Sequence, residues 1–406
     1  MKVLLAAVSF ASGISGLQRH AFNVVRCLLL REEVAEIHLV IAPWQRKLPE
    51  AAGLPADRRL ILHVANVDRG SMQRNLWYWE GLPRLAARVG VDLAHLSYPM
   101  PLHRAAIGCP AVVSLHDLYP YEIPANFGFP KFLVNRMVLR QCLRDADAIA
   151  CVSDATLAML KRYAGTAVWQ KAVRIYNCVE PAAEMAARSP IPGWNREKLL
   201  LCVAQHRRNK NIAVLIRAFQ RLLGSGAMSP EAKLVVIGME GPESGKLRRM
   251  VAAAGLAARV HFLHGLSEPE LQWCYRHCEA VVSPSLTEGF GLPIAEALLA
   301  GCRVVCSDIP AHREIADGHC RFVRLRDDSA DALASAIAGI LIEPKREPVP
   351  LPQLSAAVLA RQYVALYRRT LKSPSWATAS ASDLDLTNAS AGNAAKQRPA
   401  SLEAGN

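Results

Sequence analysis

The sequence predicts an α/β protein of two doubly wound parallel sheets. Short apolar runs recur along the chain with helical stretches between them, the alternation that joins parallel strands by crossover helices. At 406 residues the chain is long enough for two separate cores, and 51% hydrophobic with 20% charged residues is the balance of a globular protein. A stretch holding Pro181, Pro190, Pro192 and Gly193 separates two halves with the same strand-turn-helix plan, although no sequence repeat relates them.

The first half opens with a strand at residues 2–8, a turn Ser12-Gly13-Ile14-Ser15-Gly16, and a helix at 17–30 with Arg19, His20 and Arg26 on its polar side. The opening apolar run is too short, and passes too directly into the glycine turn, to read as a signal peptide. Further strands are expected at 37–41, 60–64, 92–96, 112–115 and 148–152. Ligands on such sheets bind beyond the carboxyl ends of strands, and two polar groups stand there, His116-Asp117 and Ser153-Asp154. Residues 119–131 read as a mobile loop over a cleft. The helix that follows carries Lys131, Arg136, Arg140 and Arg144 at roughly one-turn intervals, either a solvated face or one that lies on anionic lipid. Trp77-Tyr78-Trp79 either stacks a sugar or packs a loop.

The second half starts with a strand at 198–204, a polar loop from Gln205 to Asn211 and a helix at 212–223. The glycines after the strand at 234–238 do not form a phosphate-binding loop of the Gly-x4-Gly-Lys-Ser/Thr kind, because Glu240 and Leu247 stand where Gly and Ser or Thr are required. A strand at 260–263 and a helix at 270–277 follow. Cys274, His277 and Cys278 share a helical face without a fourth ligand at zinc spacing, so they read as packing. Eleven cysteines without a Cys-x-x-Cys pair, mostly within apolar runs, suit reduced thiols in a core.

Residues 283–308 are the centre of the chain's chemistry. They follow a buried strand at 280–282 and lead into a helix that Pro293 can start. Gly289 and Gly291 let the backbone approach a ligand, and the amides of Phe290, Gly291 and Leu292 point along the positive end of the helix dipole at an anion. Glu288 precedes these amides and Glu296 lies one turn inside the helix, so the two carboxylates reach different hydroxyl-bearing parts of one ligand. A strand at 303–307 and helices at 330–342 and 354–371 complete the ordered chain; residues 373–406, rich in Ser, Ala and Asn, read as a disordered tail. No run reaches the roughly 20 apolar residues of a membrane span, so membrane attachment would be peripheral. The formal charge of +13 favours anionic partners, but no lysine-rich or aromatic-interleaved stripe marks a nucleic-acid site.

Glu288-Gly289-Phe290-Gly291-Leu292-Pro293 with Glu296 resembles the Glu-x7-Glu signature of the retaining glycosyltransferases of the family 4, or group 1, type, which includes bacterial mannosyl-, glucosyl- and rhamnosyltransferases. The resemblance spans residues 1–372 and is strongest over 198–324. It implies the GT-B fold, two Rossmann-like domains facing a central cleft: an acceptor-side domain at 1–180, a hinge at 181–197, a nucleotide-sugar domain at 198–345, and a segment at 346–372 that returns to brace the first domain. Leu-His-Asp-Leu-Tyr-Pro resembles the family's His-Asp element, which implies that His116 touches the donor sugar and that Asp117 orients it or meets the acceptor. Residues 173–180 resemble the last strand of the acceptor-side domain, with Asn177-Cys178 in place of Asn-Gly. Lys210-Asn211 matches the element whose lysine neutralises the donor diphosphate; the arginine usual five residues earlier is here Gln205, so His206, Arg207 or Arg208 must supply the second charge. Gly16 is implied at the cleft. By the same resemblance Glu288 meets the sugar, Glu296 the ribose, and Gly289, Phe290, Gly291 and Leu292 the diphosphate.

The implied reaction transfers a hexose with retention from a nucleotide-sugar donor, GDP-mannose favoured over UDP- or dTDP-sugars, to a saccharide or lipid-linked saccharide in surface polysaccharide synthesis. No cofactor and no metal are implied: Asp145-Ala146-Asp147 fits the metal-binding Asp-x-Asp pattern but precedes a strand and reads as a cap or turn. The expected location is cytoplasmic, with peripheral contact on the inner face of the plasma membrane. The rival readings are a nucleotide-sugar epimerase on the same fold and a catalytically silent binding module, the latter suggested by Gln205.

Overall fold

The computed structural model describes residues 1–181, 187–194, 198–316, 318–325 and 329–373; most of the expected tail and parts of the expected hinge lie outside the described residues. The first sheet has seven strands, β1 (Lys2–Ala6), β2 (Glu36–Ile41), β3 (Leu60–Val64), β4 (Leu93–Leu96), β5 (Ala111–Leu115), β6 (Ala148–Cys151) and β7 (Ala172–Arg174), in the order β3-β2-β1-β4-β5-β6-β7. The second has six, β8 (Leu199–Val203), β9 (Lys233–Ile237), β10 (Val260–Leu263), β11 (Cys278–Ser283), β12 (Val304–Ser307) and β13 (Arg321–Val323), in the order β10-β9-β8-β11-β12-β13. Every pairing is parallel.

Parallel strands need both faces covered, and the alternation along β1 shows how that is done. Val3 and Leu5 enter a layer with Phe22, Leu28, Leu359 and Tyr363, whereas Leu4 and Ala6 enter the opposite layer with Tyr78, Leu82, Leu139 and Leu143. The second sheet is covered on one side by the helices Ile212–Gly224 and Ala330–Leu341, and on the other by Glu268–His277 and Leu292–Leu299.

Two local readings change. The expected strand at 173–180 ends at Arg174, because the polar groups beyond it find partners off the sheet. Asn177 Oδ1 lies 2.7 Å from His20 Nδ1, the Cys178 carbonyl accepts from Asn23, and the Val179 amide donates to the Leu354 carbonyl. The helix after the glycine loop begins at Leu292, which puts Pro293 at its second position, where its missing N–H still costs no helical hydrogen bond. Sequence reading left out strand β13 and the helices Ser244–Ala253 and Pro310–Ala316, of which β13 and Pro310–Ala316 carry too short a pattern to be read from periodicity.

The helix Ala356–Lys372 crosses back from the second domain onto the helix Gly16–Leu29. Leu351 and Leu354 anchor its approach in the second domain's core, and Leu359, Tyr363 and Tyr367 are fully buried in the first. Truncating Leu359 to Ala should lower stability by about 2–5 kcal/mol in urea unfolding, the range for emptying a closed apolar site; a loss well under 1 kcal/mol would mean that this helix does not dock.

Candidate active site

The chain reverses its direction of winding at β1/β4 in the first sheet and at β8/β11 in the second, and a doubly wound sheet opens its binding crevice at such points. The loops beyond β5, β8 and β11 converge there. Close backbone approaches hold them. A Cβ on Gly238 would fall 2.0 Å from the Ala204 carbonyl oxygen and one on Gly241 2.6 Å from that of His206, so only glycine lets the chain after β9 support the loop after β8. A Cβ on Gly289 would fall 1.6 Å from the His116 carbonyl oxygen, which brings the glycine loop of the second domain directly onto the end of β5 in the first.

Lys210 closes a short 3₁₀ turn, Arg208–Lys210, followed by Asn211 in the left-handed conformation at φ 51°. Its Nζ lies 2.5 and 2.6 Å from the two carboxylate oxygens of Glu288. Ser285 Oγ donates to the same carboxylate at 2.7 Å, and Tyr119 OH reaches it from the first domain at 3.2 Å. Burial alone would raise the pKa of Glu288, but the charge of Lys210 and the hydrogen bonds from Lys210 and Ser285 outweigh it and hold the group below its ordinary value. Glu288 is therefore a fixed anion inside the cleft.

His116 and Asp117 follow β5. His116 Nε2 lies 2.8 Å from the Ser97 carbonyl oxygen, which can only accept, so the ring proton sits on Nε2 and Nδ1 carries the lone pair. Burial pushes the imidazole down to about 4, against the pull of that hydrogen bond, and His116 is neutral at neutral pH. It rests edge-on against His20, whose ring spans Asn177 and Ser114; Ser114 in turn meets His95, and His95 Nδ1 lies 2.6 Å from Tyr367 OH on the crossover helix. Asp117 is raised by burial to about 6, opposed by the Tyr119 amide and by Arg207 and Lys210 from the second domain.

Glu296 lies in the helix Leu292–Leu299, with Tyr275 OH donating at 2.7 Å and Arg19 of the first domain 3.4 Å away. Burial raises it, opposed by Arg19 and Tyr275. Arg19 also pairs with Glu268 at 3.2 Å, so one guanidinium bridges two carboxylates across the domains. Gly291 takes φ 100°, a value that favours glycine, and Phe290 is buried against Tyr176. Gly16 is the exposed first residue of its helix, behind the capping Ser15. Among the three proposed sources of a second charge, His206 is buried with Nδ1 2.9 Å from Ser244 Oγ, Arg208 is exposed, and Arg207 acts on Asp117.

The structure thus brings Lys210, Glu288, His116, Asp117 and Arg207 to one cleft, whereas Glu296 stands in a separate group with Arg19, Tyr275 and Glu268. Sequence reading missed Arg19, Tyr275 and Ser285. It read Ser153-Asp154 as a ligand group, but Ser153 caps the helix Asp154–Tyr163 and, with Thr156, donates to the Gly289 carbonyl, while the amides of Asp154 and Ala155 donate to Glu314 at 2.7 and 2.9 Å. These are domain contacts. Asn126 to Asn209 at 3.0 Å and Thr287 to Glu122 at 3.1 Å add two more. Of the aromatic cluster, Tyr78 is buried and bonded to the Val8 carbonyl, and Trp79 stacks on His103 at 4.2 Å.

Two family models divide the chain between them: Glycosyltransferase Family 4 over residues 14–183 and Glycosyl transferases group 1 over 187–349. The chain belongs to the group 1/family 4 glycosyltransferases. The O-antigen chain mannosyltransferase RfbU of Salmonella typhimurium is 25% identical over 66% of this chain and 72% of its own. The lipopolysaccharide core biosynthesis mannosyltransferase LpcC of Rhizobium leguminosarum bv. viciae is 27% identical over 84% and 87%. The crystal structure of Anabaena Alr3699/HepE in complex with UDP-glucose superposes with a TM-score of 0.62 at 17% identity, covering 96% of this chain and 100% of that one. The glycosyltransferase thus has the GT-B fold, its two parallel sheets facing one cleft.

The raised Asp117 sets a pH dependence. A carboxyl whose folded value lies near 6 against an ordinary 3.8 favours folding below 3.8 and loses that contribution as pH rises through 6. Asp117→Asn, which cannot ionise, should gain on the wild type by up to about 3 kcal/mol between pH 4 and pH 8 in urea unfolding; a difference independent of pH would mean an unperturbed carboxylate.

Proposed function

We propose that this glycosyltransferase moves a hexose, with mannose favoured, from a nucleotide-diphosphate sugar to a saccharide or lipid-linked saccharide and keeps the anomeric configuration. The observation that carries the reading is the buried pair of Lys210 and Glu288 at the mouth of the helix Leu292–Leu299, faced by His116 and Asp117. In this reading the donor diphosphate lies on the amides of Phe290, Gly291 and Leu292 and on Lys210, which meet the charge of the leaving group without a metal. Glu288 accepts from sugar hydroxyls, and His116 offers Nδ1 as an acceptor rather than a proton. Glu296 takes the ribose, and Gly16 borders the sugar from the first domain.

The bond from the anomeric carbon to phosphate breaks as the acceptor oxygen closes on the same face, and the acceptor's proton passes to a departing phosphate oxygen. Asp117, held partly protonated near neutrality, lies within the field of Arg207 and Lys210 and orients the acceptor side. The mannosyltransferase relatives support mannose as the sugar, while the HepE structure holds UDP-glucose, so both GDP and UDP belong in the first test. Calorimetric titration with GDP, UDP, dTDP and ADP, without metal, should find one micromolar ligand whose affinity Glu296→Ala lowers about 10-fold, the value of one charged hydrogen-bonded group. Nucleotide binding untouched by that substitution would remove Glu296 from the site.

The acceptor side carries a surface suited to an anionic lipid. None of the described helices is long and apolar enough to cross a membrane. On the helix Lys131–Asp145, however, Leu133, Val134 and Met137 are exposed on one stripe, with Phe129 81% exposed just before it and Lys131, Arg140 and Arg144 around it. Apolar contact with basic flanks is the pattern of an interfacial helix, and we read it as a peripheral contact with the inner face of the plasma membrane. Met137→Glu should abolish sedimentation with vesicles containing anionic lipid while leaving nucleotide affinity unchanged; equal sedimentation of variant and wild type would refute the surface.

A further inference from the structure

His312 stands behind the glycine loop with no exposed surface. It belongs to the short helix Pro310–Ala316, and its Nδ1 lies 2.9 Å from the Ser307 carbonyl oxygen and 3.1 Å from Ser307 Oγ. The Ser307 hydroxyl spends its own hydrogen on the Ser285 carbonyl. A carbonyl oxygen can only accept, so the ring proton of His312 sits on Nδ1. Nε2 is left with its lone pair, buried and without a hydrogen-bond partner among the described residues.

That orphan nitrogen has a direction. A Cβ on Gly291 would lie 3.3 Å from His312 Cδ2 and 3.9 Å from Nε2, so this edge of the ring touches the glycine immediately before the helix Leu292–Leu299. Gly291 leads directly into the Leu292 amide, the first N–H of the helix, since Pro293 carries none and the Ile294 amide already donates to the Gly291 carbonyl. The charged groups that act on the ring are Glu288 from the loop after β11 and Lys210 from the loop after β8. These two neutralise each other, Lys210 giving both its short contacts to Glu288. An arriving diphosphate would therefore meet amide dipoles, a compensated ion pair and Arg207, whose charge acts on Asp117, and the position five residues before Lys210, Gln205, holds no charge. A buried ring that can gain a proton supplies what is lacking.

We propose that His312 binds the donor's diphosphate directly: as the anion occupies the mouth of the helix Leu292–Leu299, Nε2 takes up one proton from solvent and donates it to a phosphate oxygen. His312 is then an additional positive charge of the donor site, present only when the ligand is. No bond other than N–H forms, and the proton returns to solvent when the nucleotide leaves. Burial, which keeps the ring below its ordinary value, leaves it neutral until then, with Glu288 pulling the other way. The inference rests on the donor-site reading above and adds to it a residue and a proton linkage.

The test is calorimetry of GDP and UDP binding at pH 7.5 in Tris and in HEPES, whose different ionisation enthalpies count the protons taken up, on wild type and His312→Gln. The wild type should take up close to one proton more per nucleotide than the variant, and the variant should bind about 10-fold more weakly, since a neutral amide replaces a charged donor. Should His312→Gln fail to fold, histidine ¹⁵N NMR of the wild type replaces it, and one Nε2 should change from unprotonated to protonated on saturation. A nucleotide that binds the wild type and variant with equal affinity and equal proton uptake, or that leaves every histidine unchanged, overturns the role of His312 and spares the donor site. No binding of GDP, UDP, dTDP or ADP to the wild type overturns both.

Discussion

The ion pair between Lys210 and Glu288 is the interaction around which the cleft is arranged. Both side chains are largely withdrawn from water, and a buried charge that lost its partner would be strongly destabilising. Each therefore requires the other, and their loops must arrive together at the ends of β8 and β11. Gly238 and Gly241 let a third loop brace the first of these, Ser285 adds its hydroxyl from the second, and Tyr119 completes the carboxylate's shell from the other domain. A single charge pair thereby ties the loops after β8 and β11 to the register of the second sheet and to the contact between the two domains.

The domain contact repeats this logic with weaker parts. Serine and threonine hydroxyls from the first domain meet the Gly289 carbonyl, and the amides at the start of the helix Asp154–Tyr163 hold the Glu314 carboxylate, an anion at a helix N-terminus supplied by the protein itself. Arg19 bridges to Glu268 and Glu296 on the far side of the cleft. These contacts are polar and separable, unlike the apolar docking of the helix Ala356–Lys372. The crossover helix thus keeps the domains joined, while the polar set can exchange partners with a ligand rich in hydroxyls and phosphate oxygens. The chain from Tyr367 through His95, Ser114 and His20 to His116 connects the two kinds of contact, for it starts on the crossover helix and ends at the cleft.

Most of the fold was legible because its signals are local. Apolar runs such as residues 60–64 and 260–263 coincide with β3 and β10, and the helix pattern at 212–223 misses the observed end by one residue. The errors fall where polar partners distant in sequence decide. Residues 175–180 read as strand but leave the sheet to satisfy Asn177 and Cys178 elsewhere, and Ser153-Asp154 read as a ligand group but serve the domain contact. Glycine spacing similarly singled out the loop at 289–291, yet could not tell that Gly289 is demanded by the His116 carbonyl rather than by a ligand.

By itself the sequence determined the two doubly wound sheets, the loops at their carboxyl ends and the residue types in those loops, because strand and helix periods and glycine turns are properties of neighbouring residues. Only the tertiary structure decided which groups face one another: that Lys210 spends its charge on Glu288, that Glu296 answers to Arg19 and Tyr275, that His116 is neutral with its lone pair on Nδ1, and that His312 turns an unpartnered nitrogen toward Gly291. Protonation and pairing depend on burial and on partners that can lie a hundred or more residues away, and those are set when the two sheets and the crossover helix pack together.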